Sequence, residues 1–248
     1  MAAITKNRQS KETIIKMAKA AFPDKDVLHI KELTEGMCNV TYCITFQDGS
    51  ESILKISAKD QSGNISNEIG LMRAEVEAMR LVAKHHTCKV ADVGYYDCSR
   101  TICDGDYFFM EKLPGVNYSF VKDGMPKEKS RQIDEEIGRI QRELTHIQNH
   151  EFGFLGDEKR YPSLFEFVKV MLTNLLADAK SQNIDIALDE DTYLRRLDAD
   201  RDVFSAVQSA SLVHGDMWEG NVFVEQDHVS GIIDWERALW GEHNQNYL

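Results

Sequence analysis

Positive charge is in short supply in this 248-residue chain: 29 Lys and Arg stand against 41 Asp and Glu, a formal net charge of −12. That balance excludes a general nucleic-acid binder, whose phosphate partner calls for a basic face. It is compatible with a cationic small molecule, although solubility alone accounts for the acidity of many cytosolic proteins. Proline is also scarce, with 4 residues, and no low-complexity tract is present, so a linker-rich disordered protein is excluded. No apolar run approaches the ~20 residues of a membrane helix. Met1-Ala2-Ala3-Ile4-Thr5-Lys6 lacks the apolar core and cleavage site of a signal peptide. A cytoplasmic protein without a membrane partner is therefore expected. The cysteines, Cys38, Cys43, Cys88, Cys98 and Cys103, are odd in number and joined by no second pair or His at zinc-binding spacing, which predicts free thiols. A Walker A sequence is absent as well.

What is present is a chain that is 42% hydrophobic, long enough for one large or two modest domains. Ser10 to Phe22 places Ile14, Met17, Ala18 and Ala21 at helical spacing behind an N-cap serine. Val27–Ile30, Asn39–Phe46 and Ser52–Ile56 read as strands, the last two joined by the turn Gln47-Asp48-Gly49-Ser50. A helix follows from about Ile65 to His85, with Ile69, Met72, Val76, Met79 and Val82 on one stripe. Val90–Tyr96 and Asp106–Leu113 complete a set of five strands. Leu113-Pro114-Gly115 then interrupts the pattern and divides the chain into 1–112 and 113–248. Beyond it, amphipathic helices are expected from about Lys129 to Gln148 and from Leu164 to Leu175, with a less regular one from Asp191 to Ala210. Short strands return at Leu212-Val213, Val222–Val224 and Gly231–Ile233.

Those last strands frame the most specific stretch of the chain, His214-Gly215-Asp216-Met217-Trp218-Glu219-Gly220-Asn221, followed by Ile232-Ile233-Asp234-Trp235-Glu236. An Asp, an Asn five positions on, and a second Asp beyond a short hairpin are what phosphoryl transfer from a Mg-nucleotide requires. One carboxylate orients or receives the proton of the attacking hydroxyl, while the Asn oxygen and the other carboxylate hold the metal that screens phosphate charge.

With its flanking strands, this stretch resembles the catalytic loop and metal-binding segment of the aminoglycoside phosphotransferase and choline kinase family. From about Leu33 onward the likeness is weaker but in the same order. The resemblance implies a bilobal, protein-kinase-like α+β fold: a five-stranded antiparallel N-lobe (1–112) with one inserted helix, and a mainly helical C-lobe (113–248) carrying a short catalytic hairpin. It implies Asp216 as the catalytic residue, Asn221 and Asp234 as Mg²⁺ ligands, and His214 as a group that holds the loop by hydrogen bonds. Gly215 stands where many protein kinases carry the Arg that meets a phosphorylated activation loop. The chain ends at Leu248, with no room after Asp234 for an activation segment. A small-molecule acceptor is expected rather than a protein.

The nucleotide, ATP or GTP, is expected in the N-lobe. Lys55 sits where the family's phosphate-binding Lys lies, although alternation alone would also suit a solvent-facing lysine. Glu75 is the best match for its ion-pair partner, with Glu68 and Glu77 as competitors. The turn Glu35-Gly36-Met37-Cys38-Asn39 would cover the phosphates, Asn39 standing at the family's Asn position. The hinge Tyr107–Gly115 would read adenine through the Glu111 carbonyl and the Leu113 amide. Transfer to a hydroxyl through a loose transition state needs positioning and charge stabilisation, so no phospho-enzyme is expected. The candidate acceptors are aminoglycosides, choline-like alcohols and sugars; Glu219 and Glu236 lie near the expected acceptor side, where they could equally be paired with local Lys or Arg. Family members usually continue through further helices, so the C-terminal part looks shortened. A non-catalytic nucleotide-binding protein is the rival expectation.

Overall fold

The computed structural model describes residues 6–34, 39–59 and 65–247, with the side chains of 246 and 247 left aside. Helix α1 (Lys11–Ala21) opens behind Ser10, whose side chain accepts a hydrogen bond from the Thr13 amide at 3.2 Å. It leads into β1 (Val27–Leu33), β2 (Val40–Phe46) and β3 (Glu51–Ile56), and then into α2 (Leu71–His85), β4 (Val93–Asp97) and β5 (Tyr107–Met110). The five strands form one antiparallel sheet in the order β1-β2-β3-β5-β4. The expected turn joins β2 to β3, with Asp48 accepting from the Ser50 amide at 2.9 Å and Gly49 at a φ of 82°. α1 covers one face of this sheet, packing Ile14, Met17 and Ala18 against Ile44, Phe46, Leu54 and Phe109.

The inserted helix α2 starts at Leu71 rather than Ile65. Gly70, at a φ of 57°, breaks the helical path, and the residues before it are drawn to a distant element. The Ser66 amide donates to Asp178, and Asn67 donates to the Met171 carbonyl at 3.0 Å. Tertiary hydrogen bonds thus override the apolar stripe that suggested a longer helix.

The remainder is mainly helical: β6 (Val116–Asn117), α3 (Tyr118–Val121), α4 (Lys127–Leu144), β7 (Gln148–Asn149), β8 (Gly153–Phe154), α5 (Leu164–Ser181), α6 (Glu190–Ala199) and α7 (Arg201–Ser205). β9 (Ala210–Val213), β10 (Val222–Glu225), β11 (His228–Ile232) and β12 (Leu239–Gly241) close the chain. β10 and β11 form the expected hairpin, which β6 extends to three strands; β7, β9, β12 and β8 form a second small sheet. The irregular helix expected over 191–210 is two helices, α6 and α7, parted at Asp200.

One apolar cluster crosses from α2 and β5 into the helical part, joining Met79, Val82 and Phe108 to Leu144, Leu212, Ile232 and Trp235. Burying each of the aliphatic side chains in it contributes about 1.5–3 kcal/mol. Val90 makes an isolated parallel bridge to Ile232, so the α2–β4 connection is also pinned beside the hairpin. β5 is thereby held against the hairpin, and β3, paired beside β5, brings Lys55 to the residues that follow β11. Cys43, Cys88, Cys98 and Cys103 are free thiols, and among the described residues no helix is long and apolar enough to cross a membrane.

Candidate active site

β9 is buried at all four positions and delivers the chain to His214, itself without solvent exposure. His214 Nδ1 accepts from the Asp216 amide at 3.2 Å, and Nε2 donates to the Ile233 carbonyl at 3.0 Å. The imidazole therefore fastens the loop to the residue just before Asp234. Burial pushes its pKa down to about 4, against the opposing pull of the Ile233 carbonyl, Asp234 and Asp216. It is neutral at pH 7 and already uses both nitrogens, so its place is in holding the loop.

Gly215 takes a φ of 80°, and a Cβ there would collide with the Arg237 carbonyl. Only glycine lets the two segments approach this closely. Asp216 follows, and a short 3₁₀ turn, Glu219–Asn221, brings Asn221 back to it. Asn221 Nδ2 donates to the Asp216 carbonyl at 2.8 Å and to its carboxylate Oδ2 at 3.2 Å. This leaves the Asn221 side-chain oxygen as the acceptor. The backbone closes the same way: the Ile233 amide donates to the Asn221 carbonyl at 3.0 Å.

Asp234 sits beyond β11 in the left-handed region, φ 66° and ψ 52°, a conformation Asp tolerates better than bulkier residues. Its Oδ1 lies 2.8 Å from Lys55 Nζ. The same ammonium is 2.6 Å from Glu75 Oε2 and 3.7 Å from Glu236 Oε2. One cation thus faces three carboxylates whose oxygens lie within 4.8 Å of one another. Burial opposes charge on Lys55, but Glu75, Asp234 and Glu236 outweigh it and hold its pKa above the usual range. Burial is also the main reason Glu75 is pushed up to about 7; Asp234 and Glu236 add to that and Lys55 opposes it. For Asp234 burial is the largest single influence and raises the pKa, but the attraction and hydrogen bond of Lys55, with His214 and Arg237, together outweigh it, and the pKa is lowered.

Lys55, Glu75, Asn39 and Asp234 are brought together, and Asp216 and Asn221 are linked to one another on the adjoining loop. Of the competitors to Glu75, Glu68 pairs with Arg237 at 3.1 Å, and Glu77 lies on the half-exposed side of α2 near Arg73. The turn 35–38 falls outside the described residues. Asn39, at its end, donates to Glu236 Oε2 at 2.8 Å. At the hinge, the Glu111 side chain pairs with Lys89 on the surface, while Leu113 inserts its side chain against Gly231. Among the described residues no hydrogen bond uses the Leu113 amide.

Of the two places expected for Glu236, at an acceptor face or paired with a Lys or Arg, it takes the second. Its side chain turns inward, 13% exposed, onto Lys55 and Asn39 instead of standing free at an acceptor face. The cause is the 3₁₀ turn Trp235–Arg237, which buries Trp235 and carries the next side chain back into the cleft. Sequence reasoning had only the two-residue offset from Asp234 as a signal for this. It also gave no weight to Trp218, whose indole lies 54% exposed on the Asp216 loop.

The pattern of the phosphotransferase enzyme family matches residues 29–242, so the chain belongs to that family. No curated protein sequence matches it. Among solved structures it is similar to a thermostable mutant of aminoglycoside phosphotransferase APH(4)-Ia in a ternary complex with AMP-PNP and hygromycin B. That likeness has a TM-score of 0.63 at 15% identity, covering 94% of this chain and 74% of the other. The streptomycin–ATP complex of APH(2")-IIa superposes with a TM-score of 0.62 at 13% identity, over 97% of this chain and 75% of that one. The GDP complex of an aminoglycoside 2'-phosphotransferase-IIIa mutant gives 0.60 at 18% identity, over 96% and 76%. The fold is accordingly the bilobal, protein-kinase-like α+β fold of the aminoglycoside phosphotransferases.

Proposed function

We propose that this chain transfers the γ-phosphoryl group of ATP or GTP to a hydroxyl of a small molecule. The observation that carries the proposal is the 2.8 Å approach of Lys55, beside its ion-pair partner Glu75, to Asp234 just beyond the loop that bears Asp216 and Asn221. In this reading residues 1–112 bind the nucleotide and 113–248 supply the catalytic loop and the acceptor site. Lys55, fixed by Glu75, holds the nucleotide phosphates, and Asn39 contributes an amide donor to them. The Glu111 carbonyl and the Leu113 amide read the adenine edge, which fits an amide that no hydrogen bond uses among the described residues.

The donor set suits Mg²⁺. Asp234 and Asn221 offer hard oxygen ligands, and three carboxylates against one ammonium leave the cleft with negative charge to spare before any nucleotide arrives. Bound there, the ion would screen the charge on the transferred phosphate. Asp216 orients the acceptor hydroxyl and takes up its proton as the new O–P bond forms and the bond from the γ-phosphorus to the departing nucleoside diphosphate breaks. Its own backbone amide is tied to His214 and its carboxylate to Asn221, so the group is presented in one orientation. Preorganisation of this kind accounts for rate without a covalent enzyme intermediate.

The net charge of −12 favours a cationic acceptor. Complexes of structural relatives contain hygromycin B and streptomycin, which makes an aminoglycoside the first acceptor to try, followed by choline-like alcohols and sugars. The test is a coupled assay over such a panel with ATP and with GTP. The expected outcome is nucleotide consumption dependent on one acceptor class, lost in Asp216→Ala while nucleotide binding is retained. Nucleotide binding without turnover on any acceptor would favour a non-catalytic nucleotide-binding protein. Undiminished turnover in Asp216→Ala would overturn the role of Asp216.

A further inference from the structure

We infer that Glu236 is a positioning residue which holds Asn39, the residue just before β2, beside the Lys55 cluster and yields that place to nucleotide phosphate. The inference rests on the nucleotide-binding reading above and extends it. Glu236 Oε2 accepts from Asn39 Nδ2 at 2.8 Å and lies 3.7 Å from Lys55 Nζ. An anionic oxygen shared between an amide donor and an ammonium sits where a phosphate oxygen would be received: the carboxylate stands in for the ligand.

The three carboxylates around Lys55 are not equivalent. Glu75 and Asp234 are within hydrogen-bond distance of the ammonium, at 2.6 and 2.8 Å, whereas Glu236 is not. Glu75 is fixed within buried α2, and Asp234 by its place at the end of the hairpin. Glu236 is thus the member of the cluster least bound to Lys55. Its backbone is anchored on both sides, by buried Trp235 and by the Arg237–Glu68 ion pair. Side-chain rotation alone can therefore release Asn39 and Lys55. The contact joins residues 197 positions apart, one on each side of the cleft. It keeps Asn39 poised before nucleotide binds, and the like charge of an incoming phosphate drives the carboxylate away.

Two measurements on the full chain test this. The first is thermal melting of the nucleotide-free protein. Asn39→Ala should lower Tm by about 3 °C or more in the wild-type background, as expected for one charge-assisted hydrogen bond in a chain of this size. In a Glu236→Ala background it should have no further effect. Equal losses in the two backgrounds would overturn the contact.

The second is ADP binding in EDTA, where no metal can take part. Glu236→Gln removes the competing charge and should bind ADP about tenfold more tightly than wild type. A residue of merely structural importance would not tighten binding when altered. Unchanged or weaker binding overturns the displacement, and a weakening seen only with Mg²⁺ assigns Glu236 to the metal instead. If neither wild type nor variant binds ADP with or without Mg²⁺, the nucleotide reading itself fails, while the melting comparison still decides the contact.

Discussion

Lys55 and Asp234 meet at 2.8 Å across 179 positions of sequence, and the ammonium is shared with Glu75. Lys55→Met removes the one cation that faces three carboxylates. Leaving buried charge uncompensated should cost about 3–5 kcal/mol near neutral pH. The carboxyl of Glu75, already raised to about 7 from 4.5, rises further without Lys55. A folded-state pKa above the unfolded value gives stability that is present at low pH and lost as pH rises. Below about pH 7 the Glu75 carboxyl is protonated in both folded proteins, so the deficit of Lys55→Met against wild type should grow as pH rises above 7 in urea melts; a deficit independent of pH there would contradict the charge imbalance.

His214 has the opposite sign. Its folded pKa of about 4 lies below the ordinary 6.5, so the native state binds fewer protons than the unfolded chain between those values. Stability from this group is present above pH 6.5 and lost as pH falls toward 4, up to about 3 kcal/mol. His214→Gln should be less stable than wild type at pH 7 but lose less on acidification. Parallel pH curves for the two proteins would show that the imidazole is not the responsive group.

Two glycines should respond in opposite directions. At Gly215, alanine meets both a positive φ and the Arg237 carbonyl, so Gly215→Ala should lose about 2 kcal/mol or more and displace the Asp216 loop. Gly138 lies within α4, where an added Cβ would have no atom within 4 Å, and Gly138→Ala should gain about 0.5–1 kcal/mol from helix propensity. Denaturant midpoints of the two variants provide the comparison.

Asn67 ties the approach to α2 onto α5, donating to the Met171 carbonyl and accepting from Asn174, both at 3.0 Å. Asn67→Ala should cost about 1–3 kcal/mol, since it is buried and leaves Asn174 without this acceptor. Hydrogen exchange should increase at the start of α2 first. Unaltered exchange there, with the loss spread over the whole chain, would place the anchor elsewhere.

The strands of the five-stranded sheet were legible because alternation and turn chemistry agree, as at Asp48-Gly49 between β2 and β3. The start of α2 was not: Ile65 and Ile69 continue the apolar stripe, yet Ser66 and Asn67 are bonded to α5, more than a hundred positions away. β7, β8 and β12 are two or three residues long, too short for any periodicity to register. At the candidate site, Asp216, Asn221 and Asp234 could be proposed from spacing because loop geometry fixes their offsets. Glu75 could only be ranked above Glu68 and Glu77, because all three lie in one short charged stretch. Its burial on the inner face of α2 decides which one Lys55 meets.

By itself the sequence determined the local chemistry: which segments are amphipathic, where the chain turns, and that a His-Gly-Asp loop with its Asn precedes a hairpin ending in Asp. These follow from interactions over a few residues, whose geometry the backbone restricts. Only the tertiary structure decided that Lys55, Glu75, Asp234 and Glu236 share one small volume, and that Glu236 turns in toward Asn39. Such contacts depend on how α2, β5 and the end of the hairpin pack through the common apolar cluster of Met79, Phe108, Ile232 and Trp235, with β3 paired beside β5. The side chains that meet there are selected by burial and charge balance across the fold, which spacing along the chain does not encode.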